Sequence, residues 1–352
     1  MMLYFYKWEN IIAMQTKILK PTKDAVALAC KLLKVGEIVA IPTETVYGLA
    51  GDCRNPMAIQ KIFNAKGRPQ DNPLIVHISN LDMLNGLVKY VPPNAKKLMD
   101  EFWPGPLTII MPKGKLVCTE TTAGLDSVGI RMPSNEIARE IIEQSGVPLA
   151  APSANISGKP SPTNAKDVYN DMNGKIPLVI DGAKSIVGIE STVVSCLNET
   201  PIILCPRVII KEMIENVLKI NVNVAKGITQ EINNNERVLS PGMKYKHYAP
   251  NAKIVVVKGS FDKFKEFVEK QQNEGLFALV FNGEVKKLKV NAISYGLKDN
   301  PLSQAHNLFT KLRELDKLNA KIVYARCPET SGAGIAVYNR LIRSAGFKII
   351  NL

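Results

Sequence analysis

Apolar positions between residues 20 and 210 repeat with two alternating periods, one typical of helices and one typical of buried strands. Thr22 is a suitable cap for a helix that ends at Gly36, and residues 38–41 then form an unbroken apolar run. Further strands are predicted at residues 74–78, 107–111, 128–132, 147–151, 178–180, 192–195 and 202–204. Helical patterns separate many of them, at residues 56–64, 94–102, 135–144 and 165–170. Because some strands lie too close in sequence for a crossover helix, we expect an α/β domain with a mixed sheet.

The pattern changes near residue 211. Residues 221–236 are polar and rich in asparagine, and Ser240-Pro241-Gly242 has the composition of a turn. From Ala252 onward, strand and helix patterns alternate again. We therefore predict four parts, namely an N-terminal extension over residues 1–19, a first α/β domain over 20–210, a linker over 211–250 and a smaller, Rossmann-like α/β domain over 251–352.

The composition of the 352 residues is that of an ordinary globular protein, with 46% hydrophobic and 22% charged side chains. The six cysteines include no Cys-x-x-Cys pair and there are only three histidines, so neither a zinc site nor a disulfide framework is expected. The apolar residues before Met14 are too few and too interrupted to span a membrane. We therefore expect a cytoplasmic protein that does not bind a membrane.

The formal net charge of +13 favours anionic ligands. The basic residues are spread along the chain with no run of five or more, so sequence-specific binding of nucleic acid is not expected. A module that binds RNA on a basic surface is the main alternative to an enzyme. Aromatic residues, which stack on bases in such modules, make up only 6% of the chain.

Five polar motifs lie at or near the ends of predicted strands, where open α/β sheets bind ligands. They are Pro42-Thr43-Glu44-Thr45-Val46-Tyr47-Gly48-Leu49, Lys66-Gly67-Arg68-Pro69, Ser127-Val128-Gly129-Ile130-Arg131-Met132-Pro133, Ala151-Pro152-Ser153-Ala154-Asn155-Ile156-Ser157-Gly158 and Gly188-Ile189-Glu190-Ser191-Thr192-Val193-Val194. Taken singly, they also have structural explanations. The first is compatible with a capped turn, the second with a solvated loop, and a buried Arg131 with a structural salt bridge. His77, inside a predicted strand, is by itself more typical of a core residue.

The second and fourth motifs have compositions that suit phosphate. Lys66 and Arg68 place two cations on one loop, and an anion such as a polyphosphate would relieve their repulsion. Gly67 leaves the backbone open to a ligand. The small hydroxyl and amide side chains of residues 153–158 allow phosphate to approach both backbone and side-chain donors.

In their order and spacing, these motifs together closely resemble the YrdC/YciO (Sua) family of threonylcarbamoyl-AMP synthases, in its long, two-domain form. The similarity covers Lys20 to about Leu204, and residues 240–250, which read SPGMKYKHYAP, are similar to the linker motif of the long form. Residues 332–344 resemble the end of its second domain. Nearly the whole chain is covered.

The resemblance implies a twisted mixed sheet with a concave basic pocket, and a reaction in which L-threonine, bicarbonate and ATP give threonylcarbamoyl-AMP and pyrophosphate. It implies Mg²⁺ with the ATP, and a product passed to a separate Kae/TsaD-type transferase that forms threonylcarbamoyladenosine beside the anticodon of tRNA. No protein nucleophile is required, because the carbamate itself attacks the α-phosphorus. This agrees with the lack of a convincing Ser-His-Asp or Cys-His arrangement in the sequence.

The resemblance also assigns residues. It places Lys66 and Arg68 at the ATP phosphates and Ser153 and Asn155 near the α-phosphate, and these four are the candidate catalytic residues. Further contacts to ATP are implied for Asn72, Ser127, Ser161 and Tyr245, the last as part of a lid formed by the linker. The threonine site is implied to consist of Thr45, His77, Arg131, Ala151 and Ser191. No metal ligands are assigned.

The sequence departs from the family pattern after the strand near residue 204. The family usually has Arg-Pro-Gly, whereas this chain has Cys205-Pro206-Arg207. Either Arg207 or the linker could replace the usual arginine contact to the nucleotide. In the second domain, Gly332-Ala333-Gly334 is best explained by close helix packing, and no catalytic role is expected there.

Overall fold

The computed structural model describes residues 14–225 and 248–352 and arranges them around two sheets. The strands of the larger sheet are β1 (Lys17–Leu19), β2 (Val39–Ile41), β3 (Gly48–Asp52), β4 (Ile75–His77), β5 (Leu107–Pro112), β6 (Ser127–Arg131), β7 (Leu149–Ala150), β8 (Leu178–Ile180), β9 (Thr192–Ser195), β10 (Ile202–Cys205) and β11 (Asn223–Val224). Across the sheet they lie in the order β1-β8-β2-β3-β7-β4-β6-β5-β9-β10-β11. Parallel pairs such as β4 with β6 alternate with antiparallel pairs such as β5 with β6. The predicted mixed α/β sheet is confirmed.

Seven α-helices accompany this sheet in the described residues: α1 (Lys23–Lys34), α2 (Pro56–Lys66), α3 (Pro93–Phe102), α4 (Thr119–Thr122), α5 (Glu136–Ser145), α6 (Ala165–Met172) and α7 (Lys211–Leu218). Their ends follow local chemistry. The Thr22 hydroxyl accepts a hydrogen bond from the Ala25 amide at the start of α1, and the Asn55 side chain caps α2. Gly67, at a φ of 59°, ends α2 in the left-handed region. This turn carries Lys66 and Arg68 towards the sheet edge.

The smaller sheet is wholly parallel and has the order β14-β13-β15-β12-β16. Its strands are β12 (Lys253–Lys258), β13 (Leu276–Val280), β14 (Ala292–Ser294), β15 (Ile322–Arg326) and β16 (Ile349–Asn351), and its α-helices are α8 (Phe261–Glu269), α9 (Pro301–Lys317) and α10 (Gly334–Ser344). Parallel strands joined by helices match the smaller α/β domain expected from the sequence. Within residues 14–225 and 248–352, no helix is both long and apolar enough to cross a bilayer.

Seven of the strands and α-helices described above lie outside the predicted ones, namely β1, β3, β11, β14, β16, α4 and α7, the last of which falls within the predicted linker. Strand β3 was not predicted, because its sequence Gly-Leu-Ala-Gly-Asp has low strand propensity. Its glycine content follows from packing, since a Cβ atom on Gly51 would lie 3.2 Å from side chains of Ile38 and Ile62. Strand β1 lies within the predicted N-terminal extension and pairs with β8 at the sheet edge. The bounds of the four predicted parts stay predictions.

The helices bury apolar side chains on both faces of the larger sheet. Ile62 of α2 and Val76 of β4 belong to one buried cluster, and Val26 of α1 and Ile141 of α5 belong to another. Burial of each such side chain contributes about 1.5–3 kcal/mol. The buried apolar cluster around α9 and α10 also includes Ile189, which precedes β9 of the larger sheet. Apolar packing therefore extends across the junction between the larger and the smaller domain.

Charged contacts reinforce this junction. Arg313 of α9 donates from Nε to the Pro160 carbonyl at 3.1 Å and from Nη2 to the Asp171 carboxylate at 2.8 Å. Lys317 lies 3.2 Å from the carboxylate of Asp167. The loop between β7 and α6 contains the predicted Ser153 and Asn155. Helix α9 therefore packs against this loop and against α6.

Candidate active site

A pocket opens at the strand ends of the larger sheet. It brings together nine of the predicted site residues, namely Thr45, Lys66, Arg68, His77, Arg131, Ala151, Ser153, Asn155 and Ser191. These residues come from the turn after β2, the end of α2, the ends of β4 and β6, and the loops after β7 and before β9. The sequence separates them by up to about 150 positions, and the fold places them around one cavity.

Arg131 forms the centre of one end of this pocket. It is the last residue of β6 and the register partner of His77, the last residue of β4. Its Nη2 lies 2.5 Å from the carboxylate of Glu44, and its Nη1 donates to the Thr45 hydroxyl at 2.8 Å. Arg131 and Glu44 are 3% and 5% exposed, so the structure shows the salt bridge that the sequence left open as an alternative. Arg131 is also among the residues that line the pocket.

Glu44 was not predicted as a site residue. Burial by itself would raise the pKa of its carboxyl group, but the nearby Arg131 charge and hydrogen bond lower the pKa below its usual range. Glu44 therefore stays ionised and fixes the orientation of Arg131. The only signal in the sequence was a carboxylate within a turn of hydroxyl residues, which does not reveal its partner.

His77 is 3% exposed, and its Nδ1 lies 3.2 Å from the Ile75 carbonyl. Burial and the neighbouring Arg131 charge lower the pKa of His77 to about 3. Its imidazole is therefore neutral at physiological pH and adds no charge to the pocket. The neutral His77 ring can form part of the pocket wall, while Arg131 supplies the positive charge for an anionic ligand.

The other end of the pocket contains Lys66, Arg68 and the loop after β7. Lys66 is 2% exposed and donates from Nζ to the carbonyl groups of Ser153 and Asn155, the latter at 2.6 Å. Burial, and then the Arg68 charge, lower the pKa of Lys66 well below its usual value. The Ser153 hydroxyl donates to the Asn155 side-chain oxygen at 2.5 Å. The predicted Lys-x-Arg and Ser-x-Asn motifs are thus bonded to each other.

Three predicted ATP contacts in the described part of the chain, Asn72, Ser127 and Ser161, are not among the residues that line this pocket. Ser127 lines a smaller neighbouring cavity, which shares Ile75 and Val193 with the larger pocket. Asn72 is 1% exposed, and its carbonyl lies 3.5 Å from Arg68 Nη2. Ser161 is fully buried and donates to Glu190 Oε1 at 2.7 Å. Tyr245, the predicted lid residue, is outside the described residues.

Cys205 stands where the family usually has an arginine, and the structure shows which cations lie near it. Cys205 lines the pocket, whereas Arg207 is 1% exposed and donates to Asn339 of α10 at 3.4 Å. Burial and the nearby Arg340 charge lower the pKa of Arg207 to about 10. Among the described residues that line the pocket, the additional cation near Cys205 is Arg340, from the smaller domain. Local sequence patterns gave no indication of this residue.

The comparisons with known proteins agree with this fold and site. Residues 31–206 match the family model described as "Telomere recombination", which carries the names Sua5, YciO and YrdC, and residues 209–346 match the model of the threonylcarbamoyl-AMP synthase C-terminal domain. These matches define the chain as a two-domain protein of the YrdC type.

Similar proteins make the assignment more specific. The chain is 42% identical to the threonylcarbamoyl-AMP synthase of Bacillus subtilis (strain 168) over 340 residues, which cover 95% of this chain and 97% of that protein. It is 41% identical to the threonylcarbamoyl-AMP synthase of Pyrococcus abyssi (strain GE5 / Orsay) over 338 residues, 93% of this chain and 96% of that protein. The crystal structure of P. abyssi Sua5 complexed with L-threonine superposes with a TM-score of 0.87 at 38% identity, covering 96% of this chain and 99% of that one. The chain belongs to the threonylcarbamoyl-AMP synthase family, in its two-domain form.

Proposed function

We propose that this protein is a threonylcarbamoyl-AMP synthase, which joins L-threonine, bicarbonate and ATP and releases pyrophosphate. The observation that carries the proposal is the single pocket in which an end suited to an amino acid, around Arg131, meets an end suited to phosphate, around Arg68 and Ser153. The names of the B. subtilis and P. abyssi relatives and the L-threonine complex of P. abyssi Sua5 support it.

The amino-acid end offers charge and hydroxyl groups in fixed positions. Arg131 is the cation for the substrate carboxylate, and Glu44 and Thr45 hold its guanidinium in place. Ser191, which forms a 2.8 Å hydrogen bond with Thr108, and Thr45 supply hydroxyl groups for the side chain of threonine. Ala151 and the neutral His77 complete this part of the wall.

The phosphate end orients ATP for attack. The amine of threonine first combines with bicarbonate, losing water, to give a carbamate. A carbamate oxygen then bonds to the α-phosphorus, and the bond from that phosphorus to the β-phosphate oxygen breaks, releasing pyrophosphate. Arg68 offsets the negative charge of the phosphates, and Lys66 keeps the backbone of Ser153 and Asn155 in place. Positioning of this kind can contribute about 7–11 kcal/mol to lowering the barrier.

The proposed reaction involves Mg²⁺ and a second protein that receives the product. Mg²⁺ is assigned to the phosphates of ATP, since Glu190 is the one carboxylate among the described pocket-lining residues and already bonds Ser161 and Arg340. Binding of magnesium through phosphate oxygens is common in such sites and supplies further charge neutralisation. The product passes to a Kae/TsaD-type transferase, which modifies tRNA beside the anticodon, in the cytoplasm. The basic pocket then serves ATP, and the comparisons do not favour the alternative of an RNA-binding module.

The test is release of pyrophosphate by the purified full-length protein with Mg·ATP. We expect release that requires both threonine and bicarbonate and that yields threonylcarbamoyl-AMP detectable by mass spectrometry. Release that is independent of threonine would contradict the proposal. Salt-sensitive binding of RNA without any such release would instead support the binding module.

A further inference from the structure

The smaller domain reaches the pocket with one charged side chain among the described residues, Arg340 of α10. Only 2% of Arg340 is exposed, and it lines the cavity beside Glu190, Cys205 and Tyr248. A guanidinium buried at the wall of a pocket is costly unless it has anionic partners. The position therefore calls for an explanation beyond helix packing.

Arg340 is tied to the larger domain by a short chain of contacts. Its Nε donates to Glu190 Oε2 at 2.7 Å, and its Nη1 donates to Asn339 Oδ1 at 3.3 Å. The other oxygen of Glu190 accepts from Ser161 at 2.7 Å. The guanidinium carbon lies 4.3 Å from the centre of the Tyr248 ring. Since a guanidinium has five N–H donors, these contacts leave capacity for a further acceptor from the pocket.

Among the described residues, two arginine charges act on the carboxylate of Glu190. Burial alone would raise the pKa of Glu190, but the charges of Arg340 and Arg207 hold it below its usual range. One carboxylate thus faces two buried guanidiniums, and burial together with Arg340 lowers the pKa of Arg207 to about 10. Among the described residues, an added anion at this wall would be attracted by both guanidiniums.

We infer that Arg340 binds the polyphosphate chain of ATP and exchanges part of its contact with Glu190 for phosphate oxygens when ATP enters. This inference rests on the proposed function, since ATP is the substrate assigned there. The planar guanidinium matches a phosphate with two parallel hydrogen bonds, which a lysine cannot reproduce. The smaller domain thereby contributes a ligand-binding side chain to the wall of the pocket and is not a passive appendage.

The competing explanation is that Arg340 only neutralises Glu190 and fastens α10 to the larger domain. In that case, substitution of Arg340 changes thermal stability without a selective effect on phosphate ligands. A phosphate-binding role instead changes the affinity for ATP and leaves the affinity for threonine intact. The two explanations therefore differ in a binding measurement that does not depend on turnover.

The experiment uses the full-length protein and the variants R340K, R340Q, E190Q and the double variant E190Q/R340Q. The matched control is R326K, because Arg326 is also buried, at 5% exposed, lies 3.4 Å from the Glu284 carboxylate and does not line the pocket. Isothermal titration calorimetry measures binding of α,β-methylene-ATP, inorganic triphosphate and L-threonine, and melting temperatures report on folding.

We expect R340K and R340Q to weaken α,β-methylene-ATP and triphosphate about tenfold or more, with threonine binding within twofold of wild type. R326K should leave both kinds of ligand unaffected. If the single Arg340 variants do not fold, the double variant, which replaces the ion pair with a neutral pair, should bind triphosphate about tenfold more weakly than E190Q.

Triphosphate affinity within twofold of wild type in folded R340K and R340Q would overturn the inference. So would equal triphosphate affinities of E190Q and E190Q/R340Q. The proposed function is tested separately by pyrophosphate release from the wild-type protein. A wild type that binds triphosphate through Arg340 but makes no adenylate would contradict the function and leave this phosphate-binding role standing.

Discussion

Replacement of Glu44 by glutamine is a direct test of how the amino-acid end of the pocket is held. Glu44 and Arg131 are 5% and 3% exposed, and Arg131 Nη2 lies 2.5 Å from Glu44 Oε1. The attraction between the two charges is therefore screened little by water. Loss of one partner from a buried ion pair costs about 3–5 kcal/mol. Because glutamine keeps one oxygen that can accept from Arg131, we expect E44Q to lose about 3 kcal/mol of unfolding free energy, at the low end of that range.

The assay is urea unfolding followed by circular dichroism, with E37Q as the matched control. Glu37 pairs with Lys61 at 2.6 Å, but the two side chains are 33% and 38% exposed. An exposed pair of this kind contributes about 0–1 kcal/mol, so E37Q should unfold close to wild type. If E44Q and E37Q lose the same small amount, the Glu44–Arg131 pair does not stabilise the site as argued.

The same pair predicts a pH dependence with a definite sign. The pKa of Glu44 is lowered in the folded state, so its contribution is full above the unfolded value of about 4.3 and is lost as the pH falls through the folded pKa. The stability gap between wild type and E44Q should therefore be greatest near pH 7 and shrink below about pH 4. A gap that stays constant into strong acid would refute the charge argument.

Three further outcomes concern catalysis. R68A should lower kcat/KM for ATP by about 2–4 kcal/mol of transition-state free energy and melt normally; near-normal pyrophosphate release would remove the Lys66–Arg68 loop from the site. Threonine should be strongly preferred over valine, with serine intermediate, since a site that bonds a hydroxyl group rejects analogues without it. Equal turnover of valine would contradict the assignment of Thr45 and Ser191. Y245A should reduce the yield of intact threonylcarbamoyl-AMP more than pyrophosphate release, because an open site exposes the product to water; unchanged coupling would argue against a lid.

The sequence by itself determined the parts that depend on neighbouring residues. Thr22 at the start of α1 and Gly67 at the end of α2 are where local chemistry predicted them. The apolar runs of the buried strands, such as β2, needed only hydrophobic patterning. The resemblance to the family, which is now confirmed by matches over nearly the whole chain, supplied the nine residues that the pocket brings together.

Tertiary structure alone decided the partners of the charged groups. Nothing in the local pattern pairs Glu44 with Arg131, 87 positions apart, or Arg340 with Glu190, since each pair forms only when separate elements pack together. Strand β3 was missed for the same reason: its glycines disfavour a strand locally, and only the packed structure shows that Ile38 and Ile62 leave little room for a side chain at Gly51. Periodicity reports which side of an element is buried, but the chemistry of this pocket depends on which buried charges meet, and that is fixed by the packing of the whole chain.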